Sequence, residues 1–514
     1  MTDTIIVIGA GIGGLAAAMR LAHAGCDVTV IERLTAPGGK MRLVDSLAGP
    51  IDAGPSALTM RFVFEELFSE CGADLSDHVR LDPVDILARH HWDDGSTLDL
   101  HADADRTRAA IEAFAGARAG RQFASFQARS EGLFRAFEEP LLRASGPRPG
   151  AVGAAILRRP WLLPSLTPGR TLSAMLQAHF TDPRLRQLFG RISTYVGGFP
   201  NASPALLALM WHAERQGVWS LDGGLQTLAR AMQDMARRDG ATFRYGTPVD
   251  RIEIADGRAC AVQVGDTRLE ADAILFNGDV HALARGLLAP GVDAISPEQT
   301  RSRGLSAHVW AFAGHAEGLS TRHHVYFAHD PEAEAEDIAL GATPGDPTIY
   351  VSAQDRGQGR APAAQERIQI IVNAPPSPGL APEPGRKAEI RDLVFTRLSR
   401  MGLRFHDVPP LDALTTPEEF HALFPGTDGA LYGMAPKGPM AAFRHPRARS
   451  ALDGLYLCGG GAHPGAGLPL AALSGTHAAE AILQDVARPR PIGRVAAAGG
   501  MLTAGRRIVN APRL

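Results

Sequence analysis

The side chains and turns with the clearest chemical use in this chain are glycines set at fixed spacings. Gly9, Gly11 and Gly14 in "VIGAGIGG" fit G-x-G-x-x-G between an apolar run and a helical pattern. Gly9 permits the tight turn, Gly11 lets a pyrophosphate approach the backbone, and Gly14 lets the helix pack against its strand. The helix start then offers unpaired N–H groups and a partial positive charge to phosphate. Glu32 closes the next apolar run, 18 residues after Gly14, where a carboxylate accepts hydrogen bonds from a ribose and repels a 2′-phosphate. NADP is therefore a poor fit. Gly38, Gly39, Lys40 and Arg42 in "APGGKMR" add a turn and two cations, as an elongated anionic cofactor requires, so FAD fits better than NAD. A second glycine-lined stretch, "GGGAHPGAGLPLAALSG" at 459–475, also feeds an apolar helical pattern. The two stretches make most sense as halves of one site. His463 is the titratable side chain of the second and its catalytic candidate, in competition with a structural role bonded to the loop backbone.

These turns need elements to hold them. "TIIVI" at 4–8 reads as a strand buried on both faces, "LAAAMRLAHAG" as a helix and Asp27 to Ile31 as a second strand, which makes one βαβ unit. Residues 62–210 are mostly helical in pattern, with proline and glycine breaking 146–170. At 219–240 a glycine turn feeds another helix, followed by strand-like runs in "ATFRYGTPVDRIEI", "ACAVQV" and "DAILFNGD". Strand patterns and one helix fill 290–440, and "LDGLYLCGG" leads into the second glycine turn. After Asp485 several arginines appear with no acid, the composition of an exposed basic tail.

Composition narrows the function. The chain has 514 residues, 45% hydrophobic, with a net charge of -3, so it is globular and carries no global basic field for nucleic acid. Cys26, Cys71, Cys260 and Cys458 are scattered and form no CxxC pair, which disfavours disulfides and zinc and suits a reducing cytosol. The opening residues lack a basic region and a long apolar run, so no signal peptide is expected, and no stretch reaches the length of a membrane span.

"VIGAGIGGLAAAMRLAHAGCDVTVIERLTAPGGKMR", "DAGPSALTMRFVFEELF", "DGGLQTLARAM", "TPVDRI" and "YLCGGGAHPGAGLPLAALSG" together resemble the flavin-dependent amine oxidase and phytoene desaturase superfamily, and within it the carotenoid desaturases. Met60-Arg61 after "ALT" resembles the branch that introduces a C3,4 double bond into 1-hydroxylated acyclic carotenoids. Where many relatives carry Thr before the His-Pro, this chain has Ala462. The resemblance implies an α/β fold with a Rossmann-like, discontinuous FAD-binding domain from 1–70, 219–289 and 440–487. It also implies a helical substrate and membrane-associating region at 71–218, a mixed α+β substrate domain with its sheet at 290–439, and a tail at 488–514. It places Gly13, Gly54 and Pro55 at the cofactor, the Val249 backbone against adenine, and Gly459, Gly460 and Gly461 near the pyrophosphate and ribityl chain. Gly467, Leu468 and Pro469 then open a helix toward the flavin ring, where its partial positive charge stabilises reduced flavin. The implied protein is cytoplasmic and peripheral to a membrane, takes a hydrophobic polyene, uses oxygen or a quinone as electron acceptor, and needs no metal. Phytoene-type desaturation, polyene isomerisation, amine oxidation and non-catalytic lipid binding are the alternatives.

Other residues have blander readings. His90-His91 and His323-His324 lack ligand spacing and point apart in a strand, so solvated positions are expected. Trp211, His212 and Glu214 either meet a substrate hydroxyl or serve as core and solvated helix face. "AVGAAILRRPWLLPSLTPGR" at 151–170 has the composition of an interfacial segment, or of a proline-bent connector.

Overall fold

The N-terminal run folds as strand β1 (Thr4–Ile8), helix α1 (Ile12–His23) and strand β2 (Asp27–Ile31). The computed structural model describes residues 2–162, 170–291, 293–357, 364–379, 381–438 and 440–487. The expected basic tail at 488–514, and 163–169 of the expected interfacial segment, lie outside the described residues.

β1 and β2 belong to a five-stranded parallel sheet completed by Ala273–Phe276 and Leu455–Leu457 on one side and Thr242–Arg244 on the other. Its strands come from three distant stretches of chain. Ile5, Val7, Val28 and Val30 are wholly buried, as the β-branched runs at 4–8 and 27–31 require of strands covered on both faces. Helix α1 is unusually rich in alanine, and Leu15, Ala16, Ala17 and Ala18 are all buried. Small side chains let it pack tightly between the helices Leu468–Val486 and Gln226–Arg238. "ATFRYGTPVDRIEI" splits: Thr242–Arg244 extends the parallel sheet, and Arg251–Ala255 pairs with Arg258–Val264 in a separate antiparallel sheet.

A seven-stranded sheet forms the other half, in the order Leu414–Thr415, Ser306–Gly314, Glu366–Ala374, Ile349–Ala353, His323–Tyr326, Ile86–His91, Thr97–His101. Its last two strands correct the helical reading of 71–218. They form a hairpin whose first strand runs parallel to His323–Tyr326. The rest of that region is largely helical, and Phe123, Phe126, Phe180, Phe189 and Trp211 interlock there in one aromatic cluster.

The hairpin also explains why the histidine pairs are not solvated. His90 and His91 do point apart, but His90, His323 and His324 are each buried inside the sheet. His90 stacks on Phe327, and His91 meets His324 across the parallel pair with ring nitrogens 3.0 Å apart. Burial, the largest cause in each case, pulls His323 and His324 down to about 3. Both are therefore neutral in the folded chain at neutral pH, while the unfolded chain takes up protons below about 6.5. Stability is thus full above that value and lost as pH falls toward about 3. From pH 6 to pH 5 the two together are expected to cost about 2 kcal/mol, at up to ~1.4 kcal/mol per group and pH unit. Urea unfolding at the two pH values checks this, and a midpoint that does not fall at pH 5 contradicts it.

Candidate active site

Both glycine turns open into one cavity of about 950 Å³. Each begins at the carboxyl end of a parallel strand, the edge at which such sheets bind ligands. Gly9 takes φ +100 at the end of β1, a value that side chains rarely adopt. A Cβ on Gly14 would fall 2.2 Å from the Gly9 carbonyl oxygen, so the helix can approach the strand this closely only with glycine there. In the second turn Gly459 has φ +95 and Gly467 has φ +121.

Asn277, at the end of the strand between them, joins the two turns. Its Nδ2 donates to the Gly9 carbonyl at 3.0 Å and its Oδ1 accepts from Cys458 Sγ at 3.3 Å. Cβ atoms built on Gly13 and Gly459 would both come within 3 Å of that same Oδ1, at 2.7 and 2.8 Å. Nothing in the spacing of "FNGD" marks this role except its place after a buried strand.

Two helix N-termini face the cavity. Gly11 caps α1 and Gly467 caps Leu468–Val486, and neither has a side chain to satisfy the first-turn N–H groups. Pro469 fits in the second helix's first turn because no partner is needed there for an amide hydrogen. Glu32, 6% exposed, accepts from the Ala10 amide at 2.7 Å and the Leu34 amide at 2.8 Å, one on each carboxylate oxygen. Each oxygen keeps a lone pair for a further donor. The arrangement can thus bind an anion at two helix starts and a pair of hydroxyls at Glu32.

Among the expected site residues, Gly9, Gly11, Gly13, Glu32, Gly38, Gly39, Lys40, Gly54, Pro55 and Val249 line the cavity, as do Gly459, Gly460, Gly461, Gly467, Leu468 and Pro469. Gly14 lies behind the wall as a packing position. Lys40 donates to the Leu431 carbonyl at 2.6 Å. Burial pulls it down to about 8, with Arg303 acting in the same direction and Asp279 opposing. Arg42 is not among the lining residues. Its guanidinium donates to Thr415 Oγ1 at 2.6 Å and lies over the Phe420 ring, because the chain turns away from the cavity after Met41.

His463 takes the structural one of its two readings, although its backbone partner lies outside its own loop. It is absent from the cavity lining, and its Nε2 donates to the Ala144 carbonyl at 2.9 Å while its ring stacks on His477. The neighbouring His477 donates likewise to Arg143. The helical segment Glu138–Arg143 ends here, and its last carbonyls, which lack intrahelical donors, are open to side-chain donors. His463 therefore ties the glycine loop to the helical region and is a structural residue. Of the three residues before the 219–240 segment, Trp211 and His212 are core, and only Glu214 lines the cavity. Beside it stand Arg191 and Tyr195, which no sequence spacing singled out because they come from a different short helix. No cluster of His, Cys, Asp and Glu among the described residues is fit to hold a metal ion.

A glycine turn between parallel strand and helix, facing a large cleft at the strand ends, is the architecture of dinucleotide-binding oxidoreductases. The family model described as flavin containing amine oxidoreductase matches residues 12–483, and the chain belongs to that family. It is 49% identical to the hydroxyneurosporene desaturase of Cereibacter sphaeroides, over 94% of this chain and 98% of the relative. Identity to the hydroxyneurosporene desaturase of Rhodobacter capsulatus is 46%, over 94% of this chain and 98% of the relative. The solved structure of cyclohexylamine oxidase from Brevibacterium oxydans is similar in fold, with TM-score 0.57 at 17% identity, covering 95% of this chain and 100% of that one. The cofactor is FAD. The uncapped helix starts and the free lone pairs of Glu32 are the donors and acceptors that its pyrophosphate and ribose demand.

Proposed function

We propose that this protein is an FAD-dependent desaturase that introduces a C3,4 double bond into a 1-hydroxy acyclic carotenoid. The observation that carries the reading is near-full-length identity to two hydroxyneurosporene desaturases in a chain whose glycine turns share their cavity with a long apolar wall. Leu87, Val218, Val325 and Phe327 belong to that wall, and a polyene chain needs such a lining.

In this reading the start of α1 and Gly459 to Gly461 hold the pyrophosphate, and Glu32 holds the adenosine ribose. The backbone at Val249 lies against adenine, and Gly54, Pro55 and the start of Leu468–Val486 face the flavin ring. Bound there, FAD would supply the acceptor for the hydride that leaves an allylic carbon; the positive charge spreads over the polyene, and loss of a proton from the neighbouring carbon to a weak base completes the double bond. The protein's own contribution is position and dryness. Apolar side chains align the polyene and exclude water, so orientation carries most of the rate and no strong base is required. The partial positive charge of the uncapped helix at Leu468 favours the added electron density.

The substrate is held in bilayers, so a peripheral membrane contact belongs to the proposal. Leu157 is 84% exposed and Trp161 45%, with Arg158 and Arg159 between them. No helix among the described residues is long and apolar enough to cross a membrane.

The test supplies 1-hydroxyneurosporene in liposomes and follows the red shift in polyene absorption that one added conjugated bond produces. A shift with the hydroxylated polyene is expected. A shift only with phytoene would replace the branch assignment, and unchanged spectra with a flavin-loaded protein would end it.

A further inference from the structure

An all-hydrocarbon substrate calls for an all-hydrocarbon tunnel, yet one part of this cavity is built from ionisable side chains. Arg191, Tyr195 and Glu214 come from the helical region, and His323, Tyr350 and Ser56 from the opposite wall. On that wall the polar groups form a chain: Ser56 Oγ is 2.5 Å from the Tyr350 hydroxyl, which is 2.7 Å from His323 Nδ1. His323 is 3% exposed, and its Nε2 has no hydrogen-bond partner among the described residues. Across from it the Arg191 guanidinium lies 4.9 Å over the Tyr195 ring and faces Glu214. Its Nε likewise has no partner among the described residues.

Unpaired polar groups in an apolar enclosure are costly to keep unless something arrives to pair with them. The arrangement specifies what arrives. Burial holds His323 neutral, so its free ring nitrogen is either a donor or an acceptor, depending on the tautomer. Burial also pushes the Glu214 carboxyl up, with Arg191 opposing. A hydroxyl both donates and accepts: where His323 Nε2 carries the proton it accepts from His323 and Arg191 and donates to Glu214, and where Nε2 is bare it accepts from Arg191 and donates to His323. A methyl group satisfies none of them. Position agrees with this, on the desaturase reading above: the bond to be oxidised begins two carbons from the carbon that bears the hydroxyl. The hydroxyl must therefore sit close to the cofactor, and Ser56 directly follows Gly54 and Pro55, the turn assigned to it.

We infer that Arg191, Glu214 and His323 form the subsite that receives the C1 hydroxyl of the polyene, and that this contact sets which carbons face the cofactor. The inference rests on the proposed desaturase function, and its test separates the two. Binding of 1-hydroxyneurosporene and of its unhydroxylated parent is measured on the FAD-loaded protein by quenching of tryptophan fluorescence, alongside kcat and KM for each. The wild type is expected to bind the hydroxylated polyene at least tenfold more tightly. Arg191→Met and His323→Phe are expected to collapse that ratio by 10- to 100-fold, through KM more than kcat, at unchanged flavin content, and His323→Gln to restore part of it. The 1-methoxy polyene, which accepts but cannot donate, should bind the wild type several-fold more weakly than the alcohol; this arm needs no variant to fold. Equal binding of all three polyenes by the wild type, or equal losses on hydroxylated and parent polyenes in the variants, would overturn the subsite. Selective binding without turnover would leave the subsite standing and remove the desaturase assignment.

Discussion

Gly475→Ala is expected to strip the protein of its flavin, although Gly475, the last glycine of the 459–475 stretch, lies within a helix and does not line the cavity. Gly475 lies two helical turns into Leu468–Val486, where that helix crosses α1. A Cβ there would sit 2.0 Å from the Gly13 carbonyl oxygen and 3.1 Å from the Ala16 Cβ. The nearest obstacle is backbone in the first turn of α1, so nothing flexible can move aside. Because the overlap is with backbone, one helix must shift, at a cost at or above the top of the ~1–3 kcal/mol range for overpacking. The shift also moves the two helix starts apart, and these must both face one ligand. A drop in FAD affinity of 100-fold or more follows at ~1.4 kcal/mol per tenfold. The flavin-to-protein absorbance ratio after purification, and its recovery on adding FAD, measure the effect. Gly153→Ala is the control: no heavy atom lies within 4 Å of its Cβ position, in a half-buried stretch of helix. That change should leave flavin content intact and stabilise by up to ~1 kcal/mol. Full flavin occupancy in Gly475→Ala would show that the crossing does not position the site.

Glu32→Ala should have the second largest effect. The carboxylate holds two backbone amides and, in the proposed function, the ribose hydroxyls as well. Removing it leaves the Ala10 and Leu34 N–H groups unpaired beside the ligand, at ~1–3 kcal/mol for each unsatisfied buried group. FAD affinity should fall by roughly 100- to 1,000-fold. Glu32→Gln keeps one acceptor and should lose less. Titration of the apo-protein with FAD, followed by the quenching of flavin fluorescence, gives the numbers. Affinity within threefold of wild type for Glu32→Ala would remove this residue from the site.

The parts of the site that were legible in the sequence are those in which backbone chemistry dictates residue type. Gly9 must take a positive φ, Gly14 must admit a carbonyl at contact distance, and Glu32 must end a buried strand, so each leaves a local mark. The second turn was legible for the same reason. Asn277 left none, and Gly475 stands in the quoted stretch without its role being marked: an asparagine after a strand and a glycine inside a helix acquire their roles only when a distant segment packs against them. Arg191, Tyr195 and Glu214 likewise sit on separate elements that only the tertiary fold brings to one wall.

The hairpin Ile86 to His101 was missed although a signal existed. "DDGS" places a turn at Asp94-Gly95, and Gly95 does take φ +79, but "ILARHH" lacks the polar and apolar alternation that marks a strand. An irregularity in register between Ile86 and Ala88 breaks the alternation, and burial within the sheet turned histidines expected in solvent into sheet interior. Arg42 shows the converse error. It stands in a glycine-rich motif that serves the cavity, yet its side chain leaves it to brace a neighbouring element, as His463 does in the structural role weighed for it, and spacing along the chain does not report direction.

The central claim is that two distant turns hold one FAD against a cavity that presents a hydroxylated polyene for oxidation. Rapid mixing of the FAD-loaded protein with 1-hydroxyneurosporene under anaerobic conditions tests it most directly. The account predicts that the visible flavin band bleaches in step with the polyene red shift, one polyene oxidised for each flavin reduced. Bound polyene with an unbleached flavin, or a red shift in protein freed of FAD, would contradict it.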